Sequence, residues 1–432
     1  MNPSISTILL ICLIASTTGL PIKGCKSRPK SGKNHGKADD TKTLEPLDVF
    51  SKILEVNTGV EKSTHPIVYG DIMKRMGRYA TNCDNCLWPK SADGTVQVPY
   101  TLSPNYGAEN QNLFMTAMQE FETLTCVRFV NRKEEVNYLN ISSSDGCLSY
   151  SGLTGGAQPV FLLAPGCMSR GTIQHELNHA LGFLHENSRS DRDNYINVNY
   201  KNVSPGLPYD YSSVMHYGKF AFSMNPKIPT ITPIPDPNVS IGQRDGLSVL
   251  DVAKINKLYN CNVSSKLLNN PTGNFSSANY PSNYSHNTNY VFLIRTPGRQ
   301  VSVTFNDFSL QSTPGCTSDY IRIYDGPSRR SPVLLNSTCG SAKIPTVIGS
   351  TNQMLMEFVS DGTISSKGFS ASYNTVPCGG TFFTATYNIT SPGYASGSYF
   401  PNLNCFFTIY APTGYKSRQP EPENLTNSFE EN

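Results

Sequence analysis

The chain has 432 residues and little charge: 16% of it is Asp, Glu, Lys or Arg, and the net charge is +3. It has no Lys/Arg block and no basic amphipathic helix pattern, which argues against nucleic acid or a membrane surface as partner. Beyond the first twenty residues no apolar run is long enough to cross a bilayer, so no membrane span is expected. Tryptophan occurs once, at Trp88. Tyr, Gly, Pro, Asn and Ser are plentiful instead, a composition that favours β-structure and turns over long helices. The length suffices for two or three domains.

What is present begins with MNPSISTILLICLIASTTGL. Residues 5–15 are apolar and small residues follow at Ala15–Gly19. Although no Lys or Arg precedes the apolar run, residues 1–19 read as a secretory signal peptide. Twelve cysteines fit the oxidising compartment this implies. Cys12 falls in the signal and Cys25 is left without a partner, while the other ten can form five bridges. Asn140-Ile-Ser142, Asn274-Phe-Ser276, Asn336-Ser-Thr338 and Asn388-Ile-Thr390 are glycosylation candidates in a secreted protein. Residues 23–42 are Lys-rich and almost free of apolar side chains, hence disordered. A short helical pattern follows, with Leu47, Val49, Phe50, Ile53 and Leu54 on its apolar face. Cys83 and Cys86 lie in no βαβ context, so a local disulfide suits them better than redox chemistry.

The densest chemistry is the stretch HELNHALGFLHENSRSDRD, residues 175–193. His175 and His179, four apart, share one face of a helix and can reach one metal ion. Glu176 is placed as a general base beside them. Gly182 can adopt positive φ, end the helix and turn the chain so that His185 approaches as a third ligand. H-E-x-x-H-x-x-G-x-x-H is the metzincin pattern of zinc proteases. The longer string resembles that of the astacin family, with Asn187 standing where the family has Gln, a position that is not a ligand. Downstream, SSVMHYG resembles the family's Met-turn.

The resemblance implies an α+β fold: a two-lobed metzincin catalytic domain followed by β-sandwich CUB modules. It implies one Zn²⁺ held by His175, His179 and His185, with Met215 as an apolar floor. Tyr217 would be a further zinc ligand at rest, swinging away to donate to the oxyanion. Three neutral imidazoles leave a zinc-bound water with a pKa of about 7, and Glu176 takes its proton during attack on the peptide carbonyl. Residues 20–78 would be a propeptide, in which Asp71 of Val68-Tyr69-Gly70-Asp71 replaces the attacking water as a zinc ligand. Cleavage between Arg78 and Tyr79 would expose an α-amino group that pairs with Glu186. The catalytic domain would span 79–261, with Cys126 bridged to Cys261 and Cys147 to Cys167. The first pairing closes a long loop and would contribute roughly 4–5 kcal/mol in the chain-entropy model.

Residues 262–375 show short alternating strands (YVFLIRT, QVSVTFNDFSL, DYIRIYDG, QMLMEFVSD, GFSASYN). They resemble a CUB domain, a likeness that implies a Cys316–Cys339 bridge. Ser264 and Tyr290 stand where its other disulfide would be. Asp319 and Asp361 match a CUB calcium site, but Gln311 replaces its Glu; the lower charge argues against tight calcium binding. Residues 376–412 resemble the start of a second CUB module, implying a Cys378–Cys405 bridge. Either this is a shortened form of the module or the segment packs on its neighbour. Residues 413–432 are Pro- and Glu-rich and read as a disordered tail.

Within the family, the Cys83/Cys86 pair and the trailing CUB modules look most like a hatching enzyme. That likeness implies a secreted, extracellular endopeptidase, stored in secretory granules before release, acting on protein or glycoprotein substrates such as the egg envelope. Two alternatives stay open: a tolloid-like matrix or growth-factor processor, and an adhesive extracellular protein that keeps the fold without catalysis.

Overall fold

The computed structural model describes residues 48–58, 60, 66–74, 86–197, 207–223, 228–243, 245–382, 387–388, 405–409, 415–418 and 426–431. Arg78, Tyr79 and Cys83 therefore lie outside the described residues, and with them the activation point and the Cys83–Cys86 bridge. The chain divides into two compact units. The larger spans Leu47–Phe383 and Ser398–Ile409.

The larger unit opens with helix α1, Val49–Asn57, capped by the Asp48 side chain accepting from the Ser51 N–H at 2.9 Å. Its face of Val49, Phe50 and Ile53 is buried, as the spacing predicts. Strands β1 (Ile67–Val68) and β2 (Ile72–Met73) form a hairpin. Its turn needs φ of +55° at Tyr69 and +92° at Gly70, a conformation that Gly adopts freely. The mixed strand-and-helix part then runs β3 (Val96–Leu102), α2 (Ala108–Leu124), β4 (Val127–Asn131), β5 (Tyr138–Ser142), β6 (Cys147–Ser149), β7 (Ala157–Leu162) and α3 (Arg170–Ala180). The sheet order is β1-β2-β6-β7-β5-β3-β4. The hairpin at 67–73 thus extends the sheet of this mixed strand-and-helix part, joined to the β6 edge through the Ile72–Ser149 pair.

Helix α2 buries Phe114, Ala117, Met118, Phe121 and Leu124 against that sheet. Between Gly182 and residue 248 the described residues are mostly irregular. They carry the small pair β8 (Ile196–Asn197) and β9 (Thr232–Pro233) and lead into α4, Val249–Leu258, which has a full capping box of Ser248 and Asp251. Cys126–Cys261 and Cys147–Cys167 are both formed.

Two antiparallel-rich sheets follow as a sandwich. One has the order β10-β12-β17-β14-β15, from Ser265–Leu268, Asn289–Arg295, Gln353–Val359, Tyr320–Tyr324 and Val333–Thr338. The other has the order β11-β18-β13-β16, from Thr272–Ser276, Gly368–Val376, Gln300–Ser309 and Val347–Ile348. Apolar side chains from both fill the space between them. Cys316–Cys339 is formed. Where the other disulfide would be, the Val291 N–H donates to the Ser264 carbonyl at 3.0 Å, and Tyr290 packs on Phe292. Ladder bonds and an aromatic contact hold that corner without a covalent link.

The opening of the second module packs on its neighbour. Strand β19 (Gly379–Phe382) pairs in parallel with β21 (Phe406–Ile409), and Cys378–Cys405 is formed. The Thr381 hydroxyl donates to the Thr346 carbonyl at 3.0 Å and accepts from the Ile348 N–H at 3.0 Å, stitching β19 onto β16. In the smaller unit, β20 (Tyr387–Asn388) and β22 (Tyr415–Arg418) flank β23 (Thr426–Glu431). Within 413–432, expected to be a disordered tail, residues 415–418 and 426–431 are paired strands. Composition weighs apolar burial, whereas an antiparallel ladder satisfies its backbone groups without any.

Candidate active site

Helix α3 carries the motif. Ser169 caps its N-terminus by accepting from the Thr172 N–H at 3.1 Å, and residues 171–180 are all buried. Its C-terminal carbonyls find partners in two buried aromatics: Trp88 Nε1 donates to the Ala180 carbonyl and the Tyr259 hydroxyl to that of Leu181, each at 2.9 Å. Gly182 adopts φ +103°, and the chain reverses as its spacing predicts. His185 then faces the helix.

The three imidazoles converge. His185 Nε2 lies 3.2 Å from both His175 Nε2 and His179 Nε2. Asp71 Oδ2, from the hairpin turn, lies 2.9 Å from His175 Nε2, 3.1 Å from His185 Nε2 and 3.6 Å from His179 Nε2. Each ring's other nitrogen is engaged with an oxygen: His175 Nδ1 with the Val214 carbonyl at 2.8 Å, His179 Nδ1 with the Phe183 carbonyl at 2.8 Å, and His185 Nδ1 with the Tyr217 hydroxyl at 3.0 Å. A carbonyl can only accept, so Nδ1 of His175 and His179 carries the proton. The Tyr217 hydroxyl donates to the Tyr69 carbonyl at 2.8 Å, so it too accepts from His185. Three Nε2 lone pairs and a carboxylate oxygen therefore point at one another with no proton between the rings. That arrangement repels itself unless a cation sits at the centre, and these donors fit a metal ion. Burial pushes His185 down to about 3, against the opposing pull of Asp71, which leaves the imidazole neutral as a ligand must be.

Glu176 is fully buried beside the cluster, and neither carboxylate oxygen has a hydrogen-bond partner. Burial, and then the Asp71 charge, push its pKa well above the usual carboxylate value. Met215 is buried, its carbonyl accepting from the Glu186 N–H at 3.0 Å.

In the uncleaved chain Tyr217 and Glu186 have other partners. The Tyr217 hydroxyl faces the Nδ1 nitrogen of His185 and the Tyr69 carbonyl. Asp71 already fills the position beside the Nε2 atoms, and Phe50 of α1 stacks on the Tyr217 ring at 3.5 Å, with planes 8° apart. Glu186 is indeed buried, but its cation is Lys254 on α4, at 2.5 Å, with Arg189 at 3.3 Å and the Asp210 N–H at 3.0 Å. Lys254 and Phe50 carry no motif that singles them out.

Residues 85–260 match the astacin peptidase family, and residues 261–373 match the CUB domain. Embryonic protein UVS.2 of Xenopus laevis is 50% identical over 444 aligned residues, covering 96% of this chain and 85% of that one. The astacin-like metalloendopeptidase of Coturnix japonica is 52% identical over 341 residues, covering 75% of this chain and 82% of that one. The chain belongs to the astacin family.

High choriolytic enzyme 1 of Oryzias latipes is 42% identical over 231 residues, covering 50% of this chain and 84% of that one. The protein is thus an astacin-family metalloendopeptidase with a CUB region, and its histidine cluster is able to hold a metal, consistent with zinc. Among the described residues no helix is long and apolar enough to cross a membrane. In the CUB region, Asp319 accepts from the Tyr284 hydroxyl through one oxygen and from the Asp361 N–H at 2.8 Å through the other. The Gln311 side chain is turned to Thr363 at 3.3 Å.

Proposed function

We propose that this chain is a secreted zinc endopeptidase held latent by its own residues 48–74, with His175, His179 and His185 as metal ligands and Asp71 as the removable fourth. The observation that carries this reading is the Asp71 carboxylate, buried and directed at all three imidazoles. It occupies the place a substrate carbonyl or attacking water needs. When bound, zinc supplies Lewis-acid polarisation of the peptide carbonyl and acidifies a water.

The chain's own residues do the rest. Cleavage at Arg78–Tyr79 and loss of the propeptide remove Asp71, the Tyr69 carbonyl and Phe50 together. Glu176, with two unpartnered oxygens, then takes a proton from the attacking water and passes it to the leaving amine. Tyr217, freed from Tyr69 and Phe50, donates its O–H to the carbonyl oxygen as charge develops there. Met215 packs in the floor behind the ligands. Glu186 keeps its carboxylate beneath, held by Lys254 until a new α-amino group competes for it.

The substrate proposed is egg-envelope glycoprotein, on the strength of a relative named a choriolytic enzyme. Tight calcium binding is not expected in the CUB region, because neutral Gln311 beside Asp319 and Asp361 leaves the site one negative charge short. The test is Glu176→Gln in the processed chain. It should keep zinc at wild-type stoichiometry while hydrolysis of envelope protein is lost; substantial retained hydrolysis would sink the assignment of the base. Processed wild-type chain that cut casein but left envelope protein intact would reject the substrate and leave the chemistry standing.

A further inference from the structure

Behind the metal-binding helix lies a buried polar cluster that none of the chemistry above uses. Its centre is Glu120 on α2, fully buried. One carboxylate oxygen accepts from Arg295 Nη1 at 2.8 Å and Gln174 Nε2 at 2.7 Å. The other accepts from Gln353 Nε2 and lies 3.7 Å from Arg170 Nε. Arg170 and Gln174 are four apart on α3, one turn on the same face, and His175 follows Gln174 directly. Arg295 and Gln353 belong to the CUB sandwich, on β12 and β17.

The cluster reaches a third element. Arg295 Nη2 donates to the Leu247 carbonyl, and the Leu247 N–H donates to Gln174 Oε1 at 2.8 Å. Gly246 is required there: a Cβ would come within 2.3 Å of Gln174 Oε1. The apolar surroundings are continuous too. Leu267, Val291, Leu293, Tyr324 and Leu355 of the sandwich lie in the same buried cluster as the catalytic core. A buried carboxylate without its cation is strongly unfavourable. Arg295 is that cation at the closest range, and it comes from the other domain.

We propose that the CUB sandwich is a working part of the catalytic centre, in which Arg295 and Gln353 act through Glu120 to fix Gln174 and so the seat of His175. Arg295 is a positioning residue, not a catalytic one. The proposal rests on reading His175 as a zinc ligand, so zinc content of the wild-type full-length chain is measured first. A wild-type chain without zinc would reject that reading before the present one is tested.

The experiment compares Arg295→Met with Arg330→Ala in the full-length chain. Arg330 makes the exposed rim pair with Glu122 at 3.3 Å and touches nothing in the cluster. Zinc release to a chromogenic chelator is followed, with kcat and KM after processing. Arg295→Met should release zinc about tenfold faster, the scale seen when outer supports of metal ligands are removed. It should lower kcat while leaving KM unchanged, and Arg330→Ala should match the wild type. Should Arg295→Met fail to fold, Glu120→Gln with Arg295→Met removes both charges and should still release zinc faster than wild type. Wild-type release from a folded Arg295 variant, or equal acceleration in Arg330→Ala, would overturn the proposal.

Discussion

Replacing Asn57 by alanine tests the latent state through a contact with no place in any motif. Asn57 ends helix α1, and its side chain works like a strand residue against the edge of β6. Its Nδ2 donates to the Cys147 carbonyl at 2.8 Å and the Gly70 carbonyl at 2.9 Å, and its Oδ1 accepts from the Cys147 N–H at 2.8 Å. Gly146 makes room for it, since a Cβ there would come within 2.2 Å of Asn57 Oδ1. Each such bond is worth about 0.5–1.5 kcal/mol net, so losing three costs about 3 kcal/mol. Stranding the Cys147 backbone groups acts in the same direction. At about 1.4 kcal/mol per decade, the fraction of chains with residues 48–74 detached should rise roughly a hundredfold. The assay is hydrolysis of a fluorogenic peptide by uncleaved chain, with Arg78→Gln present in parent and variant to block processing. Residual activity should rise by about two orders of magnitude in Asn57→Ala. Activity of the processed enzyme, which lacks residue 57, should not change. Folded Asn57→Ala with the parent's residual activity would refute the idea that this contact holds the cover closed.

Three other outcomes follow from the same geometry. Asp71→Asn removes the charge that faces three imidazoles, so the uncleaved variant should hydrolyse peptide faster than the uncleaved parent, again with Arg78→Gln present. Tyr217→Phe in the processed enzyme should lower kcat by about a hundredfold, the usual scale for one lost oxyanion donor, and leave zinc content intact; an undiminished kcat would rule out the donor role. Replacing Cys126 and Cys261 by serine opens a bridge spanning 135 residues and should lower stability to urea by about 2–5 kcal/mol.

Much of the site was legible because its chemistry is local. The i, i+4 spacing of His175 and His179 puts both rings on one helical face, and Gly182 supplies the positive φ that returns His185 to it. Asp71 was legible only through the family likeness; as a bare Gly-Asp turn it has no spacing that links it to residues a hundred positions away. Strand positions in the CUB region were legible as short apolar runs between turns; β18 alternates in burial, whereas β12 and β17 are buried almost throughout, because Val291, Leu293 and Leu355 on their second face join the core of the preceding domain. The pairing of 415–418 with 426–431 was not legible for the opposite reason: a polar antiparallel ladder leaves no apolar signal.

The sequence by itself determined the identities and the short-range geometry: three imidazoles able to meet, a helix to carry two of them, a glycine to turn the chain. Tertiary structure decided which partners those groups have. It put Lys254 on Glu186, turned the Tyr217 hydroxyl to the Tyr69 carbonyl, and brought Arg295 of the CUB sandwich against Glu120 behind His175. The physical reason is range. Helix periodicity and turn conformation act over a few residues and are written in spacing. A buried charge is neutralised by whichever opposite charge the packed core brings near, and that depends on the whole chain being folded.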